Sequence, residues 1–201
     1  MKKLYKVLPF AFIVFLSTVS ANAQDHIFRL KGGPSLVNFI GNDAKDASSK
    51  IGYQLGMLIE FRLTENFSIQ PELVYSKEGA RFDKVDEDIN LSYANLPVIG
   101  KYYASKNFSF QAGPQLGLLT GANVNGENGD GQIKVEDYFS TLNLTFNIGM
   151  GLNITEKIGL DLRYNLGITN VSDDLETTYL KLKGATFRTS NLFLSLAYTI
   201  E

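Results

Sequence analysis

The 201-residue chain has no cysteine, no tryptophan and a single histidine. Without cysteine there is no disulfide framework, no thiolate nucleophile, no Cys-based zinc site and no lipid-anchored N-terminal cysteine. The one histidine, His26, stands too near the chain start for the rigid setting that a Ser-His triad or a His-based metal site requires. Charge is also scarce: 20% of residues are charged and the net charge is −2. That balance excludes a surface built to neutralise nucleic-acid phosphates, so nucleic acid is not an expected partner. Mean hydropathy lies close to zero, which excludes a bundle of membrane helices. The length suits one domain.

Residues 1–23 have the form of a secretory signal peptide. Lys2, Lys3 and Lys6 make a positive start, Val7 to Val19 is mostly apolar, and Ala21-Asn22-Ala23 is a small-residue cleavage site. A transmembrane anchor is the alternative, but the apolar run is shorter than the roughly 20 residues a spanning helix needs. The expected mature domain is 24–201. Of the 19 basic residues three are lost with the leader, leaving 16 against 21 acidic ones, a net charge of about −5.

What the mature chain does have is alternation with a period of two. Ile51, Tyr53, Leu55, Met57, Ile59 and Phe61 interleave with Gly52, Gln54, Gly56, Leu58, Glu60 and Arg62. Phe67 to Ser76, Phe108 to Leu119, Thr141 to Ile154, Ile158 to Ile168 and Leu192 to Ile200 repeat the pattern. Successive side chains of a strand point to opposite faces, so period two predicts β-strands. Phe28–Leu36 and Ala94–Tyr102 are weaker strands, bringing the total to eight. The apolar phase carries no charged residue, and no helical period competes.

Connections alternate in length. Leu63–Asn66, Ala104–Asn107 and Thr155–Lys157 predict tight turns, within the repeated strings LTENFSI (63–69), ASKNFSF (104–110) and ITEKIGL (154–160). Phe39–Lys50, Gly79–Asn90, Thr120–Asp137 and Val171–Arg188 predict long polar loops. The fold expected is all-β, an eight-stranded antiparallel up-and-down barrel.

Such a barrel is either a soluble ligand carrier or an outer-membrane protein, and the polar face decides. A wetted sheet exterior favours Lys, Glu and Thr; here Gly, Asn, Gln, Ser and Thr dominate, small groups that suit the crowded lumen of eight strands. The uncharged Leu, Ile, Phe and Tyr face meets the demand of lipid, where Lys or Arg at mid-bilayer costs roughly 2–4 kcal/mol. Phe61, Phe67, Tyr103 and Phe108 beside the short turns suggest an aromatic girdle. An open edge cannot lie in hydrocarbon, so the first and last strands must pair. Pro34, Pro71, Pro97 and Pro114 strain this reading, because a central strand excludes proline, and bulges or strand ends are the expected accommodation.

Four segments also carry a family resemblance. Gln70 to Gly79 (QPELVYSKEG), Tyr93 to Val98 (YANLPV), Ala112 to Gly117 (AGPQLG) and Arg163 to Asn170 (RYNLGITN) resemble landmarks of the outer-membrane β-barrel family of Bacteroidetes-type bacteria, the PorT-like outer membrane proteins. The resemblance covers nearly all of Gln24 to Glu201 and implies a transmembrane barrel of OmpA/OmpX-type size. Its label also suggests a secretion-apparatus component as an alternative role. The chain ends Tyr198-Thr199-Ile200-Glu201, where such barrels commonly finish on an aromatic residue.

Catalytic, cofactor and metal sites are not expected. Glu60, Glu72 and Asp161 lie on the polar face with Arg29, Lys31, Arg62, Lys101 and Arg163 as candidate partners. They read as salt bridges of a lumen plug, with an acid–base pair or ion path as the alternative. Gly126 to Asp137 loosely follows a calcium loop through Asn128, Asp130, Gly131, Ile133 and Asp137, but Gly126 stands where Asp is expected. A solvated hairpin tip is the plainer reading. Asp83 to Asp88 is an acidic, solvating loop.

The expectation is a monomeric integral outer-membrane barrel with a structural or surface-interaction role and no open pore. Outer-membrane lipid is the expected partner, with other envelope or surface components reached through the long loops. An outer-membrane enzyme acting on lipid or peptide, a secretion component and a soluble periplasmic carrier are the alternatives. The barrel should fractionate with the outer membrane and show heat-modifiable gel mobility. Recovery as a soluble periplasmic protein without detergent would overturn the assignment.

Overall fold

The computed structural model describes residues 26–40, 47–82, 87–125, 133–134, 140–169, 175–176, 181–182 and 188–200. The signal-peptide segment 1–23 lies outside them. So do Asp83–Asp86 of the acidic loop and the calcium-like loop, apart from Ile133–Lys134.

Among the described residues every regular element is a strand. Eight form the main sheet: β1 (His26–Ile40), β2 (Ala47–Arg62), β3 (Phe67–Phe82), β4 (Glu87–Tyr103), β5 (Phe108–Asn125), β6 (Leu142–Asn153), β7 (Ile158–Gly167) and β8 (Arg188–Thr199). Each pairs antiparallel with the next, and β1 pairs with β8 from Arg29↔Thr199 to Ile40↔Arg188, so the sheet closes on itself. The two-residue strand Ile133–Lys134 extends the edge of β5, and Leu175–Glu176 pairs with Lys181–Leu182.

The expected polarity holds. Ile51 is 79% exposed and Leu55 65%, whereas Glu60 and Glu72 are 0% and 1% exposed. An exterior of Leu, Ile, Met, Phe and Tyr over a buried Gln, Asn, Glu and Arg interior inverts a water-soluble protein and suits lipid. A soluble barrel with this exterior would leave an apolar surface far above what monomers in water tolerate.

The three short turns share one construction, which explains their repeated sequence. In each, two successive amides donate to one carbonyl: Leu63 and Thr64 to Phe67 (3.0 and 3.1 Å), Ala104 and Ser105 to Phe108 (3.0 and 3.3 Å), Ile154 and Thr155 to Ile158 (2.8 and 3.1 Å). The hydroxyl of Thr64, Ser105 or Thr155 then accepts the amide of Phe67, Phe108 or Ile158. A Ser or Thr at the second position locks the reversal from within.

Two sequence expectations change. The strands placed at Phe28–Leu36 and Ala94–Tyr102 run longer, as β1 and β4, and strands reach into the predicted long loops. Beyond the bilayer plane a ladder pairs in water and no longer needs strict alternation. Within the proposed girdle, Phe61 and Tyr103 are only 3% exposed, and Tyr103 donates its hydroxyl to Glu60 inside the barrel. The exposed aromatics beside those turns are Phe67, Tyr102 and Phe110.

The prolines sit neither at strand ends nor at the two register shifts, which fall between Ser49 and Tyr53 and between Ser92 and Tyr93. Each pairs with the strand that follows it: Pro34↔Tyr53, Pro71↔Val98, Pro97↔Gln115 and Pro114↔Phe146. Each is skipped in the ladder to the strand before it. An antiparallel residue directs its N–H and C=O to one neighbour only, so a missing N–H damages one ladder and spares the other. Where Gly precedes the proline, the opposing carbonyl moves in: a Cβ on Gly33 would run into the Leu194 oxygen, and one on Gly113 into the Val98 oxygen. Gly33→Ala and Gly113→Ala should therefore each cost about 1–3 kcal/mol by overpacking, read as a lower urea midpoint of the heat-modifiable form. Gly121→Ala, whose added carbon would meet only Ser92 Cβ at 3.9 Å, should be near neutral.

Candidate functional site

Alternation sends every second side chain of eight strands into one narrow lumen, and the polar ones must pair there. They do so in three levels.

At the short-turn end Glu60 is the hub. Lys101 Nζ lies 3.2 Å from its Oε2 and Arg29 Nη1 3.7 Å, while Ser68 donates to Oε1 at 2.8 Å. Arg62 joins no ion pair among the described residues; its guanidinium lies 4.5 Å from the Tyr103 ring centroid, a cation–π stack. An open cleft of about 400 Å³ at this mouth is lined by Ile27, Arg29, Arg62, Lys106, Asn107 and Asn153, among others.

The middle level crosses the lumen. Glu72 on β3 takes Lys31 of β1 at 2.8 Å and Arg163 of β7 at 2.7 Å. β3 and β7 stand on opposite walls, four strands apart in either direction around the barrel. The Arg163–Glu72 pair therefore spans the whole bore. Gln111 on β5 donates to Asp161 at 2.6 Å and accepts from Arg163 Nε at 2.6 Å. Gln70 donates to Glu72 at 2.6 Å. Arg163 Nη2 lies 3.5 Å from Asp161 Oδ2, an ion pair that lacks hydrogen-bond geometry.

The long-loop level is mostly neutral. Asn191, Asn165 and Asn147 occupy successive rungs of β8, β7 and β6. Asn165 donates to Asn147 at 3.1 Å, Asn147 to Gln115 at 3.1 Å, and Asn191 across the lumen to Glu78 at 2.8 Å. Ser76 also donates to Glu78, at 2.7 Å, and receives Asn95 at 2.8 Å.

The structure thus brings together seven of the eight charged residues picked from the sequence as ion pairs and leaves Arg62 on an aromatic ring. His26 is exposed at the start of β1, paired in register with Phe61. Gln70 and Gln111 lie in the lumen as their parity predicts, whereas the sequence does not single out Glu78, Tyr93, Asn95, Tyr103 and Asn191 as lumen groups. Parity was the available signal: Glu78 continues the even phase of Gln70, Glu72, Val74 and Ser76 beyond the point where the strand was ended.

A family model for the outer membrane protein beta-barrel domain matches residues 22–173. The chain belongs to that family. It is an integral outer-membrane β-barrel. Neisserial surface protein A is similar to this barrel over 86% of this chain and 97% of its own, at 14% identity and a TM-score of 0.57. Ail, the attachment invasion locus protein of Yersinia pestis, is similar over 88% of this chain and 100% of its own, at 13% identity and a TM-score of 0.53. At these identities the likeness is one of fold, the closed eight-stranded antiparallel barrel. No curated protein sequence matches the chain.

Within this outer-membrane barrel, removing Glu72 strands the buried Lys31 and takes from Arg163 the nearer of its two carboxylates. Glu72→Ala should cost about 3–5 kcal/mol, the usual penalty for orphaning a buried charge, while Glu72→Gln, which keeps the shape, should cost less. Urea midpoints of the two variants in one detergent check this; equal midpoints would mean that water already screens the bore.

Proposed function

We propose that the chain is a closed, non-conducting barrel whose working surface is its long-loop end. The observation that carries this is the Arg163–Glu72 contact, which spans the bore with Lys31, Gln111 and Asp161 packed around it. A lumen sealed by interlocked charges leaves no continuous water path. The first five strands run 15 to 18 residues, against the roughly 9–11 that cross a bilayer. Because one end is held by tight turns, the excess strand length extends from the other end. Ligand contact by loops on a rigid scaffold is the general pattern. The chain acts as a monomer in lipid, exported by cleavage after Ala23, with residues 24–201 as the barrel domain. Its place among the Bacteroidetes-type, PorT-like barrels rests on the four segments that carry that resemblance.

The two similar barrels are described as a surface protein and as an attachment invasion locus protein, the latter solved with the heparin analogue sucrose octasulfate. Those descriptions belong to those proteins, and they support a surface role here. A non-enzymatic role is supported by the carboxylates themselves: Glu60, Glu72 and Asp161 each touch a cation, which leaves none of the three free as a general acid or base.

The purified full-length chain in planar bilayers should give no steady single-channel steps. Regular, ion-sized steps from the wild type would overturn the closed-barrel reading. In cells, Glu72→Gln and Asp161→Asn should leave the lipid A and surface-protein profiles unchanged; an altered profile would favour the enzyme alternative.

A further inference from the structure

One lumen carboxylate breaks the pairing rule. Glu60, Glu72 and Asp161 each meet at least one cation, but Glu78, 5% exposed, meets none among the described residues. Its two oxygens accept only neutral donors, Ser76 Oγ and Asn191 Nδ2. The lumen cations are committed elsewhere, Lys31 and Arg163 to Glu72 and Lys101 to Glu60.

Buried oxygens without a partner gather at the same level. Asn191 Oδ1 has no hydrogen-bond partner, although the other arm of that amide holds Glu78, so it lies within one amide's width of the carboxylate. The Tyr93 hydroxyl is likewise unpartnered; Tyr93 pairs in register with Ser76, the other residue bonded to Glu78. Ser35 Oγ is the third. It faces the gap left by Gly52, where an added Cβ would touch both Ser35 Oγ and the backbone oxygen of Lys77, the residue before Glu78. Asn191, Tyr93 and Ser35 are 1%, 1% and 3% exposed.

We propose that Glu78, with the Asn191, Tyr93 and Ser35 oxygens, holds a monovalent alkali-metal cation in the long-loop half of the lumen. A buried carboxylate needs a compensating charge, and buried oxygens need something to coordinate or accept from. One cation meets both needs. A proton meets only the first: it neutralises Glu78 and can be donated to Ser76 Oγ, but it leaves the Asn191 and Ser35 oxygens without a partner. Hard oxygen donors select against metals that favour nitrogen or sulfur. A single negative charge among neutral oxygens is a poor match for calcium, which gathers six to eight oxygens and usually several carboxylates.

The test is the unfolding midpoint of the full-length chain in detergent, at one ionic strength, in sodium, potassium or choline chloride. Binding to the folded state alone should raise the wild-type midpoint by about 3–6 °C in saturating sodium or potassium over choline. Glu78→Gln keeps the shape and can still meet Ser76 and Asn191, so it should fold and lose the cation dependence. Tyr93→Phe should raise the half-saturating concentration several-fold, and it carries the test if Glu78→Gln does not fold. Equal wild-type midpoints in all three salts would overturn the proposal. So would a cation effect that persists unchanged in Glu78→Gln or, if that variant does not fold, in Tyr93→Phe. A wild-type midpoint that follows pH but not the cation would identify a proton as the occupant and also overturn it.

Discussion

Hydrocarbon offers a peptide group nothing to bond with. Each unsatisfied N–H or C=O in a bilayer costs several kcal/mol, and the rest of this architecture follows from that cost. The sheet has to close, and the pairing of β1 with β8 removes the last edge. Proline can enter the wall only where its missing N–H harms a single ladder, which is how all four strand prolines are placed. At Gly33 and Gly113, as at Gly52, Gly56 and Gly149, an opposing carbonyl lies at a distance that only glycine accepts.

Closure then forces the interior. Eight strands leave a bore narrow enough for opposite walls to touch, so side chains that would be solvated in an open sheet meet each other instead. Charge balance inside the bore becomes a structural requirement, and most of it is met by short contacts between distant strands. The same crowding makes Glu78 conspicuous, because every other lumen carboxylate among the described residues has a cation at hand.

Much of this was legible in the chain itself. Parity alone placed Glu60, Glu72, Asp161, Arg29, Lys31, Lys101 and Arg163 on one face and kept charge off the other. The repeated LTEN, ASKN and ITEK strings marked the three tight turns, whose hydroxyls do local work that a local sequence can record. The partnerships were not legible. Arg163 and Glu72 are 91 residues apart and meet only because the sheet curls through half a turn between them. Tyr103 resembles a membrane-surface residue because aromatic residues beside a turn look alike in sequence whichever wall they face. Glu78 was lost because the polar loop composition that begins at Gly79 hid the continuing strand phase.

The sequence by itself determined which residues are wet and which meet lipid. That property depends only on whether a position is odd or even along a strand, and two-residue periodicity is a local fact. It determined the strand number and the sidedness of short and long connections for the same reason. Only the tertiary structure decided which charges pair, which bore-lining oxygens stay unpartnered, and which ion pair spans the bore. Those outcomes depend on the register and curvature of the closed barrel, and both emerge from all eight strands at once.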